Sequence, residues 1–597
     1  MTQVLTRSAA PTPEPTRWRH GRPGRLAALT AVARRIGYWR AAAAVIAAGS
    51  ALRIYHWLSG GSFSQDETSL VISFAHRSLA GLTGRLEYDQ MAPIAWLWAE
   101  KLAYMVAGPS EQSLRFLPLV AGCLGLVPVA AVARRLLSGP LALVALGVVA
   151  GSPQILYYST QVKQYSAEVA LTALLVLLAL RADAKPTPRP EAETGRGRVV
   201  MFWATAAVAF WFATTSVFTT MTLGGLLVAF AAWRARWRRV AWHGVGGAVA
   251  ATSLAFMYLV QRPHVADWLA AWWTKHYPGS MAPVGLTPER WLRWTVKCAE
   301  SLARTAMGVR AAELRVVLMA LVVLGAVALL LRLRRTAVLA LAPAVVAYLL
   351  AMFRLYPFSA RLALWVVPLM LIAACAAIDA AARWAWRPRG HWARRTRPVA
   401  VVLALALAAG LTWAYAPTIG RRLPHNQLTL YERAEEAIRF VAANRAPGDL
   451  VYFGYNTSRV AVWYGPRAGL AWDGLFQPVK GRGCARAQGA VTTGGRISGV
   501  EATGEETGAG QPGPAVKPEK LVAAPRVWIV IRATERVNPG RLDEFHTIMA
   551  RSATLLRERR FNWLLVAEYR FTAQPVGPAP AASRRVVEAD CYRFSGR

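Results

Sequence analysis

The chain is poor in cysteine, which limits the chemistry that its sequence can support. It has five cysteines in 597 residues, and none lies in a C-x-x-C or Cys/His spacing typical of a zinc or redox site. Cys123, Cys298 and Cys375 lie in or near apolar runs and are interpreted as small core residues. Cys484 and Cys591 lie in the C-terminal tail, where they could pair if the tail faces an oxidising compartment.

Acidic residues are also scarce, so 70 Lys and Arg against 32 Asp and Glu leave a formal net charge of +38. Such an excess often indicates a nucleic-acid partner. Here, however, the basic residues cluster in short stretches between apolar runs, such as RARWRR at 234–239 and RLRR at 332–335. Cytoplasmic loops of membrane proteins show this distribution. The pattern therefore argues against nucleic-acid binding.

Apolar runs, by contrast, are abundant and have the length of about 17–25 residues that crosses a bilayer. They predict an α-helical polytopic membrane domain over 38–416, preceded by a disordered cytoplasmic N-terminus at 1–37. The pair 199–215 and 217–233 is short and could instead be re-entrant. We predict eleven spans: 38–58, 114–135, 139–157, 163–181, 199–215, 217–233, 240–260, 312–331, 337–353, 362–381 and 398–416.

Residues 91–107 decide the predicted orientation of these spans. They are apolar, but Glu100 and Lys101 in the middle of the run would be costly inside a bilayer. If 91–107 does not span, the basic stretches all lie on the cytoplasmic side, as the positive-inside rule requires. We therefore expect 91–107 to form a helix that lies along the outer face or dips into it. Five regions are then expected to share the outer side: 59–90, 157–166, 261–311, 354–361 and the tail from 417.

The tail, 417–597, has the composition of a soluble α/β domain. Its patterns predict helices over 429–449 and 538–556. Strands are predicted at 450–455, 526–533, 563–571 and 590–594, with a Gly-, Ala- and Thr-rich insertion at 481–525. The tail contains no Gly-rich phosphate loop and no spacing typical of a catalytic triad.

The first candidate site is an acid pair, Asp66 and Glu67, that directly follows the first apolar run. Ser64-Gln-Asp-Glu67 matches the S-x-x-E capping box, in which the serine caps a helix and the glutamate bonds back to the cap. Glu67 therefore has a structural explanation. Asp66, at the second helical position, gains only a modest benefit from the helix dipole, so it is the stronger candidate for chemistry.

The second candidate is the segment YYSTQVKQYSAE at 157–168, where Lys163 lies at the junction of two predicted spans. Tyr158 and Tyr165 flank the lysine, which could simply reach out to the membrane interface. Lysine is scarce in this arginine-rich chain, which favours a functional role. Glu168 lies just inside the next span and is expected to face a cavity or a partner such as Lys163.

The third candidate is RLYPFSAR at 354–361, a proline-interrupted turn between two spans. Arg354 and Arg361 lie at its ends, with Tyr356 between them. Two arginines on the outer side suit an anionic headgroup, because a guanidinium binds phosphate oxygens in a bidentate manner. Anchoring at the membrane interface is the simpler alternative.

Taken in order, these segments resemble the C-type integral-membrane glycosyltransferases. The similarity is strongest to glycosyltransferase family 39 and its bacterial relatives, the protein mannosyltransferases and lipid A aminoarabinose transferases. It covers 38–181 and includes the acid pair, the APIxxL helix start at 92–97, the GxSExxxRFxP stretch at 108–118 and SPQILYYSTQVKQYSAE at 152–168. RLYPFSARL at 354–362 is a weaker match, and the tail is not covered.

The resemblance implies a multi-pass plasma-membrane enzyme with its active site and C-terminal domain outside the cytoplasm. It would transfer a hexosyl or pentosyl group, with inversion, from a polyprenyl-phosphate-linked donor to a cell-envelope glycan, lipid or protein. Asp66 would be the general base, assisted by Glu67. Lys163, Arg361, Arg354 and Tyr356 would bind the donor phosphate, and Tyr158, Tyr165 and Glu168 would line the pocket.

No cofactor is implied with certainty. The two acidic residues could hold a divalent cation, but they offer few oxygen ligands for one. A transporter or lipid flippase with an accessory outside domain is the main alternative function, and an envelope-anchoring protein is another. Neither half of the chain repeats the other, and the charges cluster at the outer surface, which is unlike many transporters.

Overall fold

The computed structural model describes residues 25–184, 194–262, 279–385 except 286 and 310, 433–453 and 457–470, together with parts of 475–571. The predicted span 398–416, Cys484, Cys591 and the predicted strand 590–594 lie outside the described residues, as does most of the N-terminal segment.

The part that precedes residue 386 is a bundle of helices. Its first nine are α1 Arg25–Leu58, α2 Gln65–His76, α3 Ile94–Ala107, α4 Glu111–Leu114, α5 Phe116–Leu124, α6 Leu126–Leu136, α7 Gly139–Gly151, α8 Pro153–Tyr158 and α9 Tyr165–Asp183. They are followed by α10 Thr194–Phe212, α11 Ser216–Trp233, α12 Trp237–Gln261, α13 Pro288–Thr305, α14 Ala312–Leu333, α15 Arg335–Met352 and α16 Val367–Ala385. The 3₁₀ turns among the described residues are Gly81–Thr83, Glu87–Asp89 and Ala360–Val366.

Within the described residues, eight helical stretches are long and apolar enough to cross a membrane. Each corresponds to a predicted span: Gly37–Leu58, Glu111–Leu136, Tyr165–Asp183, Ser216–Trp233, Trp237–Gln261, Ala312–Leu333, Arg335–Met352 and Ala360–Trp384. The predicted span 139–157 is instead the short helix α7 followed by α8, and 199–215 lies in α10, which is not among the eight. The chain is thus a polytopic helical protein, which supports a membrane location.

The bundle is organised around two central helices. In their most apolar stretches, 89% of Ala360–Trp384 and 78% of Tyr165–Asp183 is buried, against 17% of Trp237–Gln261. The apolar exterior of α12 is therefore the kind of surface that faces lipid. Gly325 of α14 packs so closely on α16 that a Cβ there would overlap the Ala373 carbonyl. This close approach requires glycine.

Helix α3 has only 14 residues and is not among the membrane-crossing helices, in agreement with the prediction for 91–107. Both charged residues in its middle are buried against protein: Glu100 is 0% exposed and Lys101 is 9% exposed. The Lys101 Nζ donates to the Phe74 carbonyl oxygen at the end of α2, 2.6 Å away. Helices α2 and α3 therefore form a layer that packs on the ends of the bundle.

The C-terminal region is a small α/β domain, as predicted. It contains α17 Ala434–Asn444, α18 Ser458–Arg467 and a seven-stranded sheet of order β4-β3-β2-β1-β5-β7-β6. Among the strand pairs that the structure describes, β1–β2 and β1–β5 are parallel and the other four are antiparallel. The strands are β1 Leu450–Phe453, β2 Leu475–Gln477, β3 Val491–Thr493, β4 Ala515–Val516, β5 Val527–Arg532, β6 Ala553–Phe561 and β7 Leu564–Phe571.

The predicted helix over 538–556 is wrong at its C-terminal end. Residues 553–556 begin β6, which pairs antiparallel with β7 from Ala553 opposite Phe571 to Phe561 opposite Leu564. Backbone hydrogen bonds to a neighbouring strand outweigh the helical periodicity there. The predicted strands at 450–455, 526–533 and 563–571 correspond to β1, β5 and β7.

The α/β domain shares one apolar core with the α2–α3 layer. Phe63, Leu70 and Ile94 pack in the same buried cluster as Val460 and Trp463 of α18. Tyr464 adds a polar contact at this joint, because its hydroxyl donates to Glu111 Oε1 at 2.5 Å and accepts from the Phe63 N–H at 2.7 Å. The domain is therefore docked on the segment that carries the acid pair.

We expect Tyr464→Phe to weaken this docking, because it leaves a buried N–H and a carboxylate without their shared hydroxyl. A loss of about 1–3 kcal/mol is typical for such groups. Hydrogen–deuterium exchange of residues 458–467 measures the effect, with the exposed Tyr258→Phe as the control. Unchanged protection in Tyr464→Phe would contradict the importance of the hydroxyl.

Candidate active site

The site is built on the start of α2, where the predicted capping box is confirmed. Ser64 caps the helix by accepting from the Glu67 N–H at 3.4 Å, and its own N–H donates to Glu67 Oε2 at 2.8 Å. With Ser64 as the cap, Asp66 and Glu67 are neighbours in the first turn. Their side chains leave the helix in different directions and meet different partners.

Glu67 faces inwards, where it forms an ion pair with Arg115 in which both side chains are 1% exposed. Arg115 Nε and Nη2 donate to the two Glu67 oxygens at 2.8 Å and 2.9 Å. The Val162 N–H, from the segment between α8 and α9, donates to Glu67 Oε1 at 3.1 Å. Glu67 is therefore a structural link between α2, the α4–α5 corner and the segment that carries Lys163.

Asp66 faces the opposite way and forms an ion pair with Arg361 of the 3₁₀ turn Ala360–Val366. Its side chain remains 47% exposed, so a ligand can reach the carboxylate. The Arg361 guanidinium, aided by the positive charge of Lys163, holds the pKa of Asp66 well below its usual range despite partial burial. Asp66 is thus ionised and held in place by a cation from the other half of the bundle.

Lys163 is the second cation close to Asp66. Its side chain is buried, and its Nζ donates to Gln90 Oε1 at 2.9 Å. Burial lowers the pKa of Lys163 to about 8, although the negative charge of Asp66 works in the opposite direction. The hydrogen-bond partner is Gln90 rather than Glu168, which sequence reasoning had offered as one possibility.

Two tyrosines link this cluster to the interior of the bundle. The Arg361 guanidinium lies 5.9 Å from the centre of the Tyr165 ring, which packs edge-on against Tyr158 at 5.0 Å. Both tyrosines line a largely apolar cavity that continues between α5, α6 and α7 past Leu126 and Val149. Glu168 is buried one helical turn beyond Tyr165. The charged cluster thus lies next to an apolar recess.

Arg354 and Tyr356 lie between the end of α15 and the 3₁₀ turn that carries Arg361. Arg354 is exposed, and its Nη1 donates to the Ala282 carbonyl oxygen at 2.6 Å, which ties it to the segment preceding α13. Tyr356 packs against Phe218 of α11 at 5.1 Å. Burial raises the pKa of the Tyr356 hydroxyl well above its usual value, with a contribution from the charge of Glu168. The cluster itself is therefore built from Asp66, Arg361 and Lys163.

Sequence reasoning missed three residues around this cluster. Arg115 lies in the GxSExxxRFxP stretch at 108–118, but nothing in the sequence indicated that Glu67 is its partner. Gln90 is an uncharged residue in a loop and carries no signal of its own. Arg459 belongs to α18, and its Nη1 donates to Ser69 Oγ of α2 at 2.7 Å. No local pattern places a residue of the tail beside residue 66.

The acid pair does not converge on a common point, because Asp66 pairs with Arg361 and Glu67 with Arg115. In the part of the chain that the structure describes, no group of three or more His, Cys, Asp or Glu side chains is arranged to hold a metal ion. What the arrangement offers is one accessible carboxylate beside two cations, which suits proton transfer next to a bound anion.

The described chain is thus a polytopic helical bundle with a docked α/β domain and a charged cluster at the joint between them. The chain is similar to ArnT from Cupriavidus metallidurans in the apo state, with a TM-score of 0.48 and 13% identity over 90% of this chain and 99% of that chain. For the ArnT structure bound to undecaprenyl phosphate the TM-score is 0.45, again at 13% identity and with the same coverage.

The chain is also similar to the Archaeoglobus fulgidus oligosaccharyltransferase in complex with Zn and sulfate. That TM-score is 0.46 and the identity 12%, over 86% of this chain and 71% of that chain. These proteins are C-type glycosyltransferases, the class that the sequence resembles. No family model and no curated protein sequence matches the chain. At such low identity, the chemistry has to be argued from the site itself.

We expect Glu67→Gln to destabilise the protein strongly, because it leaves the fully buried Arg115 without its counter-charge. Breaking a buried pair from one side typically costs about 3–5 kcal/mol. Thermal unfolding in detergent measures the loss. The control is Glu289→Gln, which removes an exposed pair with Arg293 and should have little effect. Equal stability of the two variants would show that the pair contributes nothing.

Proposed function

We propose that the protein is an inverting glycosyltransferase that uses a polyprenyl-phosphate-linked sugar. A hexosyl or pentosyl group would pass to a cell-envelope glycan, lipid or protein on the outer face of the membrane. The observation that carries the proposal is the cluster of Asp66, Arg361 and Lys163, in which one accessible carboxylate lies beside two cations.

The charges of the cluster suit a phosphate leaving group. The Glu67 carboxylate is paired with Arg115, whereas Asp66 pairs with Arg361 and also acts on Lys163. When the glycosidic bond breaks, its electron pair goes to the phosphate oxygen, and the lipid phosphodiester becomes a monoester with nearly one additional negative charge. Fixed cations at that position stabilise the developing charge. Arg361 can also donate to two phosphate oxygens at once.

Asp66 would take the proton from the acceptor hydroxyl. The acceptor oxygen would attack the anomeric carbon from the face opposite the phosphate, its proton would pass to Asp66, and the configuration would invert. In the ion pair with Arg361, the lowered pKa makes Asp66 a weak base. A donor phosphate bound to Arg361 competes for the guanidinium, which raises the basicity of Asp66 when the donor is in place.

The surroundings of the cluster are partly apolar. Tyr158 and Tyr165 border a small recess lined mainly by apolar side chains, which has room for about one water molecule and not for a prenyl unit. Glu168 lies deeper in the same region, and Arg354 and Tyr356 lie on the side of the turn that faces α11 and α13. We assign these residues to the rim and wall of the pocket and not to the reacting centre.

The basic stretches support an outside location for the site. Helix α18 of the C-terminal domain contacts α2, so the domain and the cluster lie on the same side of the membrane. At the opposite end of the bundle, Arg134 and Arg135 lie in the last turn of α6 and Arg332 in the last turn of α14. Arg332 donates to the Leu136 carbonyl oxygen and pairs with Asp379, so these basic ends lie near each other. Under the positive-inside rule, that end is cytoplasmic.

We expect Asp66→Asn to reduce sugar transfer by about 10²–10⁴-fold, the usual contribution of a general base. Purified protein is incubated with a panel of polyprenyl-phosphate sugars, and release of free polyprenyl phosphate is measured. The control is Asp183→Asn, which breaks an ion pair with Arg234 away from the site. Full activity in Asp66→Asn would refute the proposed base, and lipid translocation across vesicle membranes without sugar release would favour the flippase alternative.

We expect the affinity for polyprenyl phosphate to fall about tenfold between pH 7 and pH 9, if binding requires the protonated form of a lysine with a pKa of about 8. The phosphate monoester is already doubly ionised in this range, so the fall reports on Lys163. Binding of undecaprenyl phosphate is measured against pH for the wild type and for Lys163→Arg. The variant should give a flat profile, and a parallel fall in both proteins would exclude Lys163 as the titrating group.

A further inference from the structure

The C-terminal domain brings a third cation to the joint. Arg459, in the first turn of α18, donates from Nη1 to Ser69 Oγ at 2.7 Å, and its guanidinium lies 4.5 Å from the centre of the Tyr88 ring. Its side chain is half-buried. Both contacts are with neutral groups, so they position the guanidinium without neutralising its charge.

Tyr88 connects Arg459 to the cluster already described. It has a left-handed backbone conformation with φ of 56°, which is unfavourable for a non-glycine residue and has to be held by its surroundings. Its carbonyl oxygen accepts from Gln90 Nε2 at 3.3 Å, and Gln90 Oε1 accepts from Lys163 Nζ at 2.9 Å. Arg459, Tyr88, Gln90 and Lys163 thus form one continuous set of contacts.

The charge of Arg459 also reaches the reacting groups. It contributes to the lowered pKa values of both Asp66 and Lys163, after the larger effects of Arg361 on Asp66 and of burial on Lys163. Arg361, Lys163 and Arg459 therefore all act on one accessible carboxylate, and the other carboxylate that acts on Lys163, Glu67, is itself paired with Arg115. Like charges gathered in a partly desolvated site repel one another unless an anion lies between them.

We propose that Arg459 is a third phosphate-binding residue of this site, supplied by the C-terminal domain, and that the domain thereby completes the binding site for the lipid phosphate. The proposal rests on the proposed function. A phosphate monoester carries about 1.5 to 2 negative charges and would be attracted to all three cations. The stacking on Tyr88 favours arginine over lysine, because a planar guanidinium can stack on a ring and still donate from its edge.

The test is direct binding of undecaprenyl phosphate to the full-length protein in phosphatidylcholine nanodiscs. We expect Arg459→Gln to weaken binding about tenfold and to reduce its dependence on salt, while binding of uncharged undecaprenol stays unchanged. Arg459→Lys keeps the charge but not the stacking, so its affinity for undecaprenyl phosphate should lie between that of the wild type and that of Arg459→Gln. Competition by inorganic phosphate distinguishes a site for any phosphate from one that also requires the lipid.

The matched control is Arg467→Gln, because Arg467 belongs to the same helix and also stacks on an aromatic ring, that of Trp463 at 3.6 Å. An equal loss in Arg459→Gln and Arg467→Gln would attribute the effect to loosened docking and overturn the proposal. So would wild-type affinity in Arg459→Gln alongside weakened binding in Lys163→Gln, although the donor site itself would then stand. If Arg361→Gln, Lys163→Gln and Arg459→Gln all bind normally, the proposed function fails as well.

Discussion

The candidate site depends on the buried ion pair between Glu67 and Arg115. Glu67 closes the capping box of α2 and also accepts from the Val162 N–H, while Arg115 donates to the carbonyl oxygens of Gly61 and Ser62. One carboxylate thus holds together the loop before α2, the α4–α5 corner and the segment before α9. Because neither charge can reach water, any movement of these segments would leave a buried charge unpaired. The positions of Asp66 and Lys163 follow from this constraint.

Two adjacent carboxylates therefore have opposite environments. Successive residues of a helix point about 100° apart, so the first turn of α2 directs Glu67 into the protein and Asp66 towards the open side. Glu67 is fully enclosed and paired, whereas Asp66 is partly exposed beside Arg361 and Lys163. Because Glu67 is fixed by its buried ion pair, the neighbouring accessible carboxylate of Asp66 also has a fixed location, which a pair of solvated carboxylates would not have.

The α/β domain also contributes contacts to the candidate site. Its helix α18 shares an apolar core with α2 and α3, and Tyr464 bridges Glu111 and the Phe63 backbone. Arg459 reaches Ser69 and Tyr88 from this docked helix. Ligand sites often lie where two structural units meet, because each unit contributes side chains that the other lacks. The joint between bundle and domain has this character.

The sequence by itself determined eight of the apolar spans, the short helix α3, the capping box at Ser64 and the choice of Asp66, Lys163 and Arg361 as candidates. These follow from local patterns: run length, periodicity and the chemistry of neighbouring residues. It did not predict strand pairing at 553–556, the Glu67–Arg115 pair, the Lys163–Gln90 bond or the approach of Arg459. Only the tertiary structure decided these, because each depends on residues that are distant in the chain and are brought together by helix packing and domain docking.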